Sequence, residues 1–144
     1  MKTRYTSLVS VKKNIMQKSE RELQSVNAKL KNAKKALEES KQDINTIQTP
    51  QNGKASSFLA TRTLLDAQRS LITHNEEWVK YTQGEVQQAQ QKLQKDTTEF
   101  EKFKYLETEE IKKKLQEIKI KEAKDLDEVA LMTFGRKDKD LGEL

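Results

Sequence analysis

Apolar residues recur in steps of three and four along most of this chain, and one interruption divides the repeat into two parts. The first part includes one polar residue, Ser40, among the apolar residues Leu23, Val26, Leu30, Ala33, Leu37, Ile44 and Ile47. The second part runs through Phe58, Leu65, Ile72, Val79, Val86, Ala89, Leu93, Phe100 and Phe103. This spacing places side chains on one narrow stripe of an α-helix, which suits a partner helix rather than a broad core. The pattern therefore predicts two helices that pair through a coiled-coil seam.

The interruption has the composition of a turn. It contains Thr49-Pro50-Gln51-Asn52-Gly53, in which proline stops a helix and Asn-Gly accepts a positive φ. A short loop between two amphipathic helices returns the chain alongside itself, which favours an antiparallel hairpin over a parallel dimer of one long helix. We predict an all-α fold of two long helices forming an antiparallel coiled-coil hairpin, with the second helix longer. The predicted boundaries are helix 1 at 1–49, the hairpin loop at 50–56, helix 2 at 57–134 and a flexible tail at 135–144.

The position of the loop in the sequence predicts which residues of the two helices lie opposite each other. By symmetry about the turn, the numbers of paired residues should add up to roughly 104, which places Leu30 near Asn75. Helix 2 then extends beyond helix 1 by about thirty residues. An apolar stripe in that extension has no partner in the chain, so it is either an interaction surface or disordered until bound; its residues are Ile111, Leu115, Ile118, Leu126 and Val129.

Several positions depart from the regular pattern. A hydroxyl between Thr3 and Ser7 is expected to cap helix 1, and Ser56 or Ser57 to cap helix 2. In the first turns of helix 1, the apolar residues Leu8, Ile15 and Leu23 alternate with Lys12 and Ser19, which predicts a local stutter in the supercoil. In helix 2, polar residues fall on the seam and either fix the register or are merely exposed; they are Gln68, Asn75 and Asp96.

A second apolar edge lies beside the seam at the start of helix 2. Leu64 and Leu71 are seven residues apart, and Trp78 and Tyr81 continue the edge. These residues either pack against helix 1 or form a protein-docking patch, for which aromatic side chains are favoured anchors. The pattern alone leaves both interpretations open.

Composition and charge narrow the class of protein. Only 33% of the residues are hydrophobic and 35% are charged, which suits a two-helix coiled coil rather than a compact core. The chain contains no cysteine and no long apolar run, so we expect a cytoplasmic protein without a membrane span. Residues 1–41 hold eleven Lys or Arg against four Glu, or +7. This basic excess favours a solvated helix face beside the seam. Nucleic acid is a less favoured partner, because Tyr5 is the one aromatic residue in that stretch that could stack on a base.

Catalytic motifs are absent from the sequence. We find no phosphate-binding glycine loop, no nucleophile elbow and no zinc-ligand pattern, so we predict no enzymatic activity, no cofactor and no metal site. His74 is interpreted as an ordinary surface histidine, because no residue at helical spacing from it completes a metal site or a triad.

A motif near the end of the sequence resembles a known family. The run from Lys121 to Ala130, KEAKDLDEVA, is followed by Phe134 and Arg136. It resembles the closing E-x-K-x-L/M-D-E-x-A signature of the flagellar export protein FliJ family. That family consists of small, cysteine-poor, two-helix hairpins, and the likeness extends loosely over the whole chain in length and helix asymmetry.

The resemblance implies a non-enzymatic component of the flagellar type III protein export apparatus. Such a stalk-like coiled coil would link an export ATPase ring to the export gate, and would lie in the cytoplasm at the inner membrane of the flagellar base. The implied partners are a FliI-like export ATPase hexamer and a FlhA-like gate protein, with export chaperones as further candidates. The implied ATPase-facing residues are Leu126, Asp127, Glu128, Ala130, Phe134 and Arg136, and the implied gate-facing residues are Leu64 and Leu71.

Two other functions stay open. Nucleic-acid binding by the basic first helix would show a steep dependence on salt concentration. A structural or adaptor coiled coil could self-associate through the open stripe between Ile111 and Val129. Loss of self-association on substitution of Leu115 by aspartate would identify such an adaptor.

Overall fold

A computed structural model describes the backbone of residues 1–142 and the side chains of residues 1–136. The fold has two α-helices, α1 at Thr6–Ile44 and α2 at Ala55–Gly142, and the described residues contain no strand. The predicted all-α antiparallel hairpin with a longer second helix is confirmed. The predicted tail at 135–144 lies partly outside the described residues, and α2 is continuous through Gly135.

The chain divides into two compact units, to which both helices contribute. One unit is Lys13–Thr98, and the other combines Met1–Lys12 with Glu99–Leu144. In Lys13–Thr98, the segments of α1 and α2 pack side by side and the loop joins them as a hairpin. In the other unit, the first turns of α1 pack against the part of α2 that begins at Glu99.

The N-terminus of α1 is capped by two threonine hydroxyls. The Tyr5 amide donates to Thr3 Oγ1 at 3.1 Å, and the Thr3 amide donates to Thr6 Oγ1 at 2.9 Å. This reciprocal arrangement is that of a capping box, with threonine in place of the usual glutamate. The predicted cap between Thr3 and Ser7 is therefore confirmed.

Helix α1 ends five residues before the position predicted from Pro50. After its last turn, the backbone makes hydrogen bonds of the 3₁₀ type, in which an amide donates to the carbonyl three residues earlier. The Asn45 amide donates to Gln42 O at 3.0 Å, and the Thr46 amide donates to Asp43 O at 3.1 Å. The Thr46 hydroxyl also donates to Asp43 O at 2.7 Å. These bonds satisfy carbonyls that lack a helical partner at the end of a helix, so α1 ends at Ile44.

The connection between the helices spans residues 45–54, and α2 begins at Ala55. Gly53 has a φ of 158°, a conformation that residues with side chains rarely adopt. The Ser57 amide donates to Lys54 O at 2.9 Å, so Ser56 and Ser57 lie inside the first turn instead of preceding it. Their expected role as the cap of α2 is therefore wrong.

The register of the hairpin differs from the predicted one. In Lys13–Thr98, the residue numbers of the cross-helix ion pairs Lys29–Glu85 and Glu22–Lys92 both add up to 114, not 104. Ile47 and Pro50 are half-buried, and a shallow groove is lined by loop residues 48–51 together with Ser57 and Thr61. The loop thus occupies the space beside the first turns of α2, and α1 pairs with residues further along that helix.

The seam of α1 keeps one uninterrupted register. From Tyr5 onward, buried or half-buried positions follow in steps of four and three, and Thr6 and Glu22 are half-buried beside this line; the positions on the line are Tyr5, Val9, Lys12, Met16, Ser19, Leu23, Val26, Leu30, Ala33, Leu37, Ser40 and Ile44. Leu8 and Ile15 are exposed. The predicted stutter is wrong, because Val9 and Met16 occupy the seam positions that had been given to Leu8 and Ile15.

Small side chains are the most deeply buried residues of the seam in Lys13–Thr98. Ala33 and Val86 are its buried hydrophobic residues, and three hydroxyl residues are buried with them: Ser19, Ser40 and Thr82. Thr82 satisfies its hydroxyl by donating to Trp78 O at 2.7 Å, and Ser40 does the same to Leu37 O at 2.7 Å. Small residues at these positions let the two backbones approach closely, while the larger seam residues remain half-exposed at the edges.

The polar seam residues of α2 make cross-helix hydrogen bonds. Gln68 Nε2 donates to Ser40 O at 2.8 Å, and Asn75 Nδ2 donates to Ser40 Oγ at 3.2 Å. Ser19 Oγ donates to an Asp96 carboxylate oxygen. Of the two interpretations of these residues, the structure supports register selection rather than simple exposure, because shifting the helices by one heptad would separate every one of these pairs.

The unit formed by Met1–Lys12 and Glu99–Leu144 pairs its helices through aromatic and charged contacts. Lys12 Nζ lies 5.6 Å from the centroid of the Phe103 ring and 3.7 Å from a Glu99 carboxylate oxygen. Arg4 forms an ion pair with Glu110 at 3.7 Å. The lysine stem can pack on the ring while its ammonium group reaches the carboxylate, which explains how Lys12 occupies a seam position.

Truncation of Val86 tests the seam. Val86 is 8% exposed, and Val86→Ala removes two buried methyl groups, which should lower the free energy of unfolding by about 1–2 kcal/mol. Thermal unfolding followed by circular dichroism measures the change. The matched control is Val11→Ala, at a position that is 52% exposed, because both variants gain the same helix propensity. Equal stability of the two variants would contradict this account of the seam.

A double-mutant cycle tests the pair of Ser19 and Asp96. Ser19→Ala should cost about 1–3 kcal/mol, because it leaves a partly buried carboxylate without its cross-helix donor. In the background of Asp96→Ala, the same substitution should cost much less. Chemical denaturation of the four chains gives the coupling free energy between the two residues. A coupling near zero would show that the hydrogen bond contributes nothing to stability.

Candidate protein-interaction surfaces

The last part of α2 presents an open apolar surface. The burial pattern of the seam ends at Lys114, and every side chain from residue 115 to 136, here called the distal segment, is exposed. Its large apolar members are Leu115, Ile118, Ile120, Leu126, Val129, Leu131, Met132 and Phe134. The predicted extension of helix 2 beyond its partner is therefore present within the described residues. So many exposed apolar side chains on one helix are typical of a surface that binds another protein.

The six predicted ATPase-facing residues all lie in the distal segment and are exposed. A helix turns about 100° per residue, so Leu126, Ala130, Phe134 and Asp127 fall within an arc of roughly 100°. By the same geometry, Glu128 lies on the far side of the helix, and Arg136 lies outside the arc. The helix thus brings four of the predicted residues together and separates the other two. Their roles stay predictions.

The second surface, here called the flank patch, consists of Leu64, Leu71, Trp78 and Tyr81 in Lys13–Thr98. All four are exposed, Leu64 at 59% and Leu71 at 45%, and α1 contacts the patch where Lys29 lies over the Trp78 ring. Leu64, Leu71 and Trp78 are one heptad apart and lie on the same flank of α2, next to the seam. Of the two interpretations of this edge, the exposure favours a docking patch.

The aromatic end of the flank patch is ordered by stacking and by charge. The Trp78 and Tyr81 rings are stacked with centroids 5.5 Å apart. Lys29 Nζ lies 5.4 Å from the Trp78 centroid and 3.4 Å from a Glu85 carboxylate oxygen. His74 and Glu77 complete a shallow groove around these rings. Because Lys29 holds one side of the indole, the aromatic pair is a preformed surface that needs little ordering on binding.

Some basic residues in the first part of the chain form ion pairs with α2. Arg4, Lys12 and Lys29 each face a carboxylate of α2 in their own unit. These pairs are at least partly exposed and contribute little to stability. They support a solvated face beside the seam rather than a dedicated basic patch.

The pattern of the sequence missed some exposed apolar residues. Leu8 and Val11 of α1 are exposed in the same unit as the distal segment. They form a second stripe of apolar residues beside the seam, at helical spacing with Ile15. The sequence pattern predicts Leu8 and Ile15 on the seam, and it does not single out Val11.

Metal sites and membrane spans are two further classes of functional feature. The part of the chain that the structure describes contains no group of three or more His, Cys, Asp or Glu side chains placed to hold a metal ion. Within the same residues, no helix has the length and apolar character needed to cross a membrane.

The fold and its surfaces define a class of protein, namely a two-helix antiparallel coiled coil whose second helix continues past the seam with an exposed apolar surface. Comparison with known families agrees with this class. The family model described as "Flagellar FliJ protein" matches residues 1–139, so the chain belongs to the FliJ family. The family resemblance noted in the sequence is thus confirmed, and it makes the chain a component of the flagellar export apparatus, in a family that is non-catalytic. No curated protein and no solved structure matches the chain.

Proposed function

We propose that this chain is the stalk-like coiled coil of the flagellar export apparatus, which connects a FliI-like ATPase ring to a FlhA-like export gate. The observation that carries the proposal is the distal segment, where the seam ends and α2 offers exposed apolar residues. A helix with such a surface gains stability by inserting it into a protein partner. Membership of the family identifies the apparatus in which that partner would be found.

The motif of the distal segment supports the ATPase as its partner. Leu126, Ala130 and Phe134 give one apolar arc, and Asp127 lies at its edge as a charged neighbour. An apolar centre with a charged rim is the usual anatomy of a protein interface. In the proposal, the ATPase ring covers this arc. Glu128 and Arg136 lie elsewhere around the helix, where a ring that surrounds the segment could contact them.

The flank patch supports the gate as a second partner. It belongs to Lys13–Thr98, whereas the distal segment belongs to the other unit, so one chain has two separate apolar surfaces. Two surfaces are what a connector between two proteins requires. Leu64 and Leu71 would supply the apolar contacts, and the stacked Trp78 and Tyr81 would anchor them. Such a chain needs no chemistry of its own.

The ATPase contact is tested with single alanine variants of the full chain. Leu126→Ala and Asp127→Ala should each weaken binding to the purified export ATPase by about tenfold, since truncating an interface anchor costs more than about 1 kcal/mol. Isothermal titration calorimetry or a quantitative pull-down measures the affinity. The matched control is Leu64→Ala, which removes the same side chain from an exposed position in the other unit. Absence of a complex, or equal weakening by Leu126→Ala and Leu64→Ala, would contradict the proposal.

The gate contact is tested at the flank patch. Leu64→Ala and Leu71→Ala should weaken binding to the cytoplasmic part of the export gate by about tenfold each, for the same energetic reason. Trp78 is the one tryptophan of the chain, so its fluorescence reports whether the partner covers the patch. Leu59→Ala is the control, because Leu59 is 67% exposed but lies about 140° around the helix from Leu64. Unchanged tryptophan emission in a formed complex would show that the gate binds elsewhere.

A further inference from the structure

The apolar residues of the distal segment do not continue the seam. The last seam positions of α2 are Glu107, Glu110 and Lys114, and the same spacing leads next to Glu117 and Lys121. Glu117 and Lys121 are exposed, whereas Glu107, Glu110 and Lys114 are half-buried, so the contacts of the seam do not continue past Lys114. The apolar residues instead follow a different line along the helix. That line therefore faces a different direction around the helix from the seam that binds α1.

An 11-residue repeat describes the new line. Leu115 recurs as Leu126, and Ile118 recurs as Val129. Eleven residues make about three helical turns, so such a repeat keeps its members on one nearly straight face. We call this face the distal stripe; it begins at Ile111, which is half-buried at the end of the seam, and continues through the exposed residues Leu115, Ile118, Glu122, Leu126, Val129 and Thr133. They span an arc of roughly 80° around the helix.

The distal stripe is symmetric about its centre. Starting from Glu122, its members follow at steps of four, three and four residues in both directions along the chain. When such a stripe faces a second, antiparallel copy of itself, Leu115 lies opposite Val129 and Ile118 lies opposite Leu126. A parallel copy would instead place each residue against itself. Only the antiparallel arrangement also uses the charges described next.

The two halves of the distal stripe, before and after Glu122, carry net charges of opposite sign. Residues 111–121 hold five lysines and one glutamate, or +4, and residues 123–133 hold one lysine and three acidic residues, or −2. An antiparallel pair places the basic half of each copy beside the acidic half of the other. Two-fold symmetry also brings the same flank of both helices together, so Lys121 of one copy approaches Asp125 of the second copy. A parallel pair would place like charges together.

We propose that the distal stripe pairs with the distal stripe of a second copy of this chain, antiparallel and about a two-fold axis at Glu122. Glu122 then meets its own copy at the centre of the interface, where two carboxylates repel each other. This repulsion makes the pair a weak, reversible one. The pairing covers Leu126, which the proposed ATPase contact also uses, so under the proposed function the two associations compete; the pairing itself does not depend on that function.

Disulfide trapping of the full chain tests the geometry. The chain contains no cysteine, so a single engineered thiol reports on its own symmetry mate without interference. Glu122→Cys should form covalent dimers rapidly under mild oxidation, because residue 122 faces its own copy across the axis. Val129→Cys is the control at an exposed position of the same stripe. Residue 129 lies about 10 Å from the axis along the helix, at 1.5 Å per residue, so its own copy is out of reach.

Three results would overturn the proposal. Equal rates of cross-linking for Glu122→Cys and Val129→Cys would indicate a parallel pair or random collision. Absence of cross-linking above that of a denatured control would show that the chain does not self-associate.

Sedimentation equilibrium gives a second measurement. Glu122→Leu should tighten the dimer at least about tenfold, because it removes the central repulsion. Ile118→Asp should abolish it. A chain with Glu122→Leu that remains monomeric would also contradict the proposal, and none of these outcomes bears on ATPase binding.

Discussion

The alternation of three- and four-residue steps along the seam is the constraint on which the rest of the structure depends. It limits the contact between α1 and α2 to a narrow line, and small residues such as Ser19, Ala33 and Thr82 occupy the most buried points of that line. A line of contact leaves most apolar residues off the seam exposed. The surfaces that could bind partners are therefore a direct consequence of the way in which the hairpin packs.

Polar residues select one register along the seam. Apolar seams tolerate sliding by a heptad, since every heptad presents similar side chains. In Lys13–Thr98, Ser40 receives hydrogen bonds from Gln68 and Asn75, and Ser19 donates to Asp96. Each bond is available at one register. The seam thus combines weak apolar burial with specific polar contacts, at a lower stability than an all-leucine seam would have.

The fold could be predicted from the spacing of residues such as Leu23, Val26 and Leu30, because a long uniform period allows few alternatives. Local details could not. At the start of α1, Leu8 and Ile15 form one apolar line and Val9 and Met16 another, and both fit a helix; contact with α2 selects the second. The register was missed for a different reason. Local hydrogen bonds end α1 before Pro50, and the loop then fills the space beside α2, which residue counting cannot reveal.

The candidate surfaces were easier to predict than the partners that they bind. The sequence pattern places Leu64 and Leu71 beside the seam and Leu126 beyond the partner helix, and all three are exposed. Exposure shows that a residue is available, and the chemistry around it narrows what it can bind. Beyond the end of the seam, the apolar residues of α2 follow the 11-residue repeat of the distal stripe and no longer face α1. The distal stripe has a basic half and an acidic half. A change of period within one continuous helix therefore marks the point where the chain stops stabilising itself and starts to present a surface to other molecules.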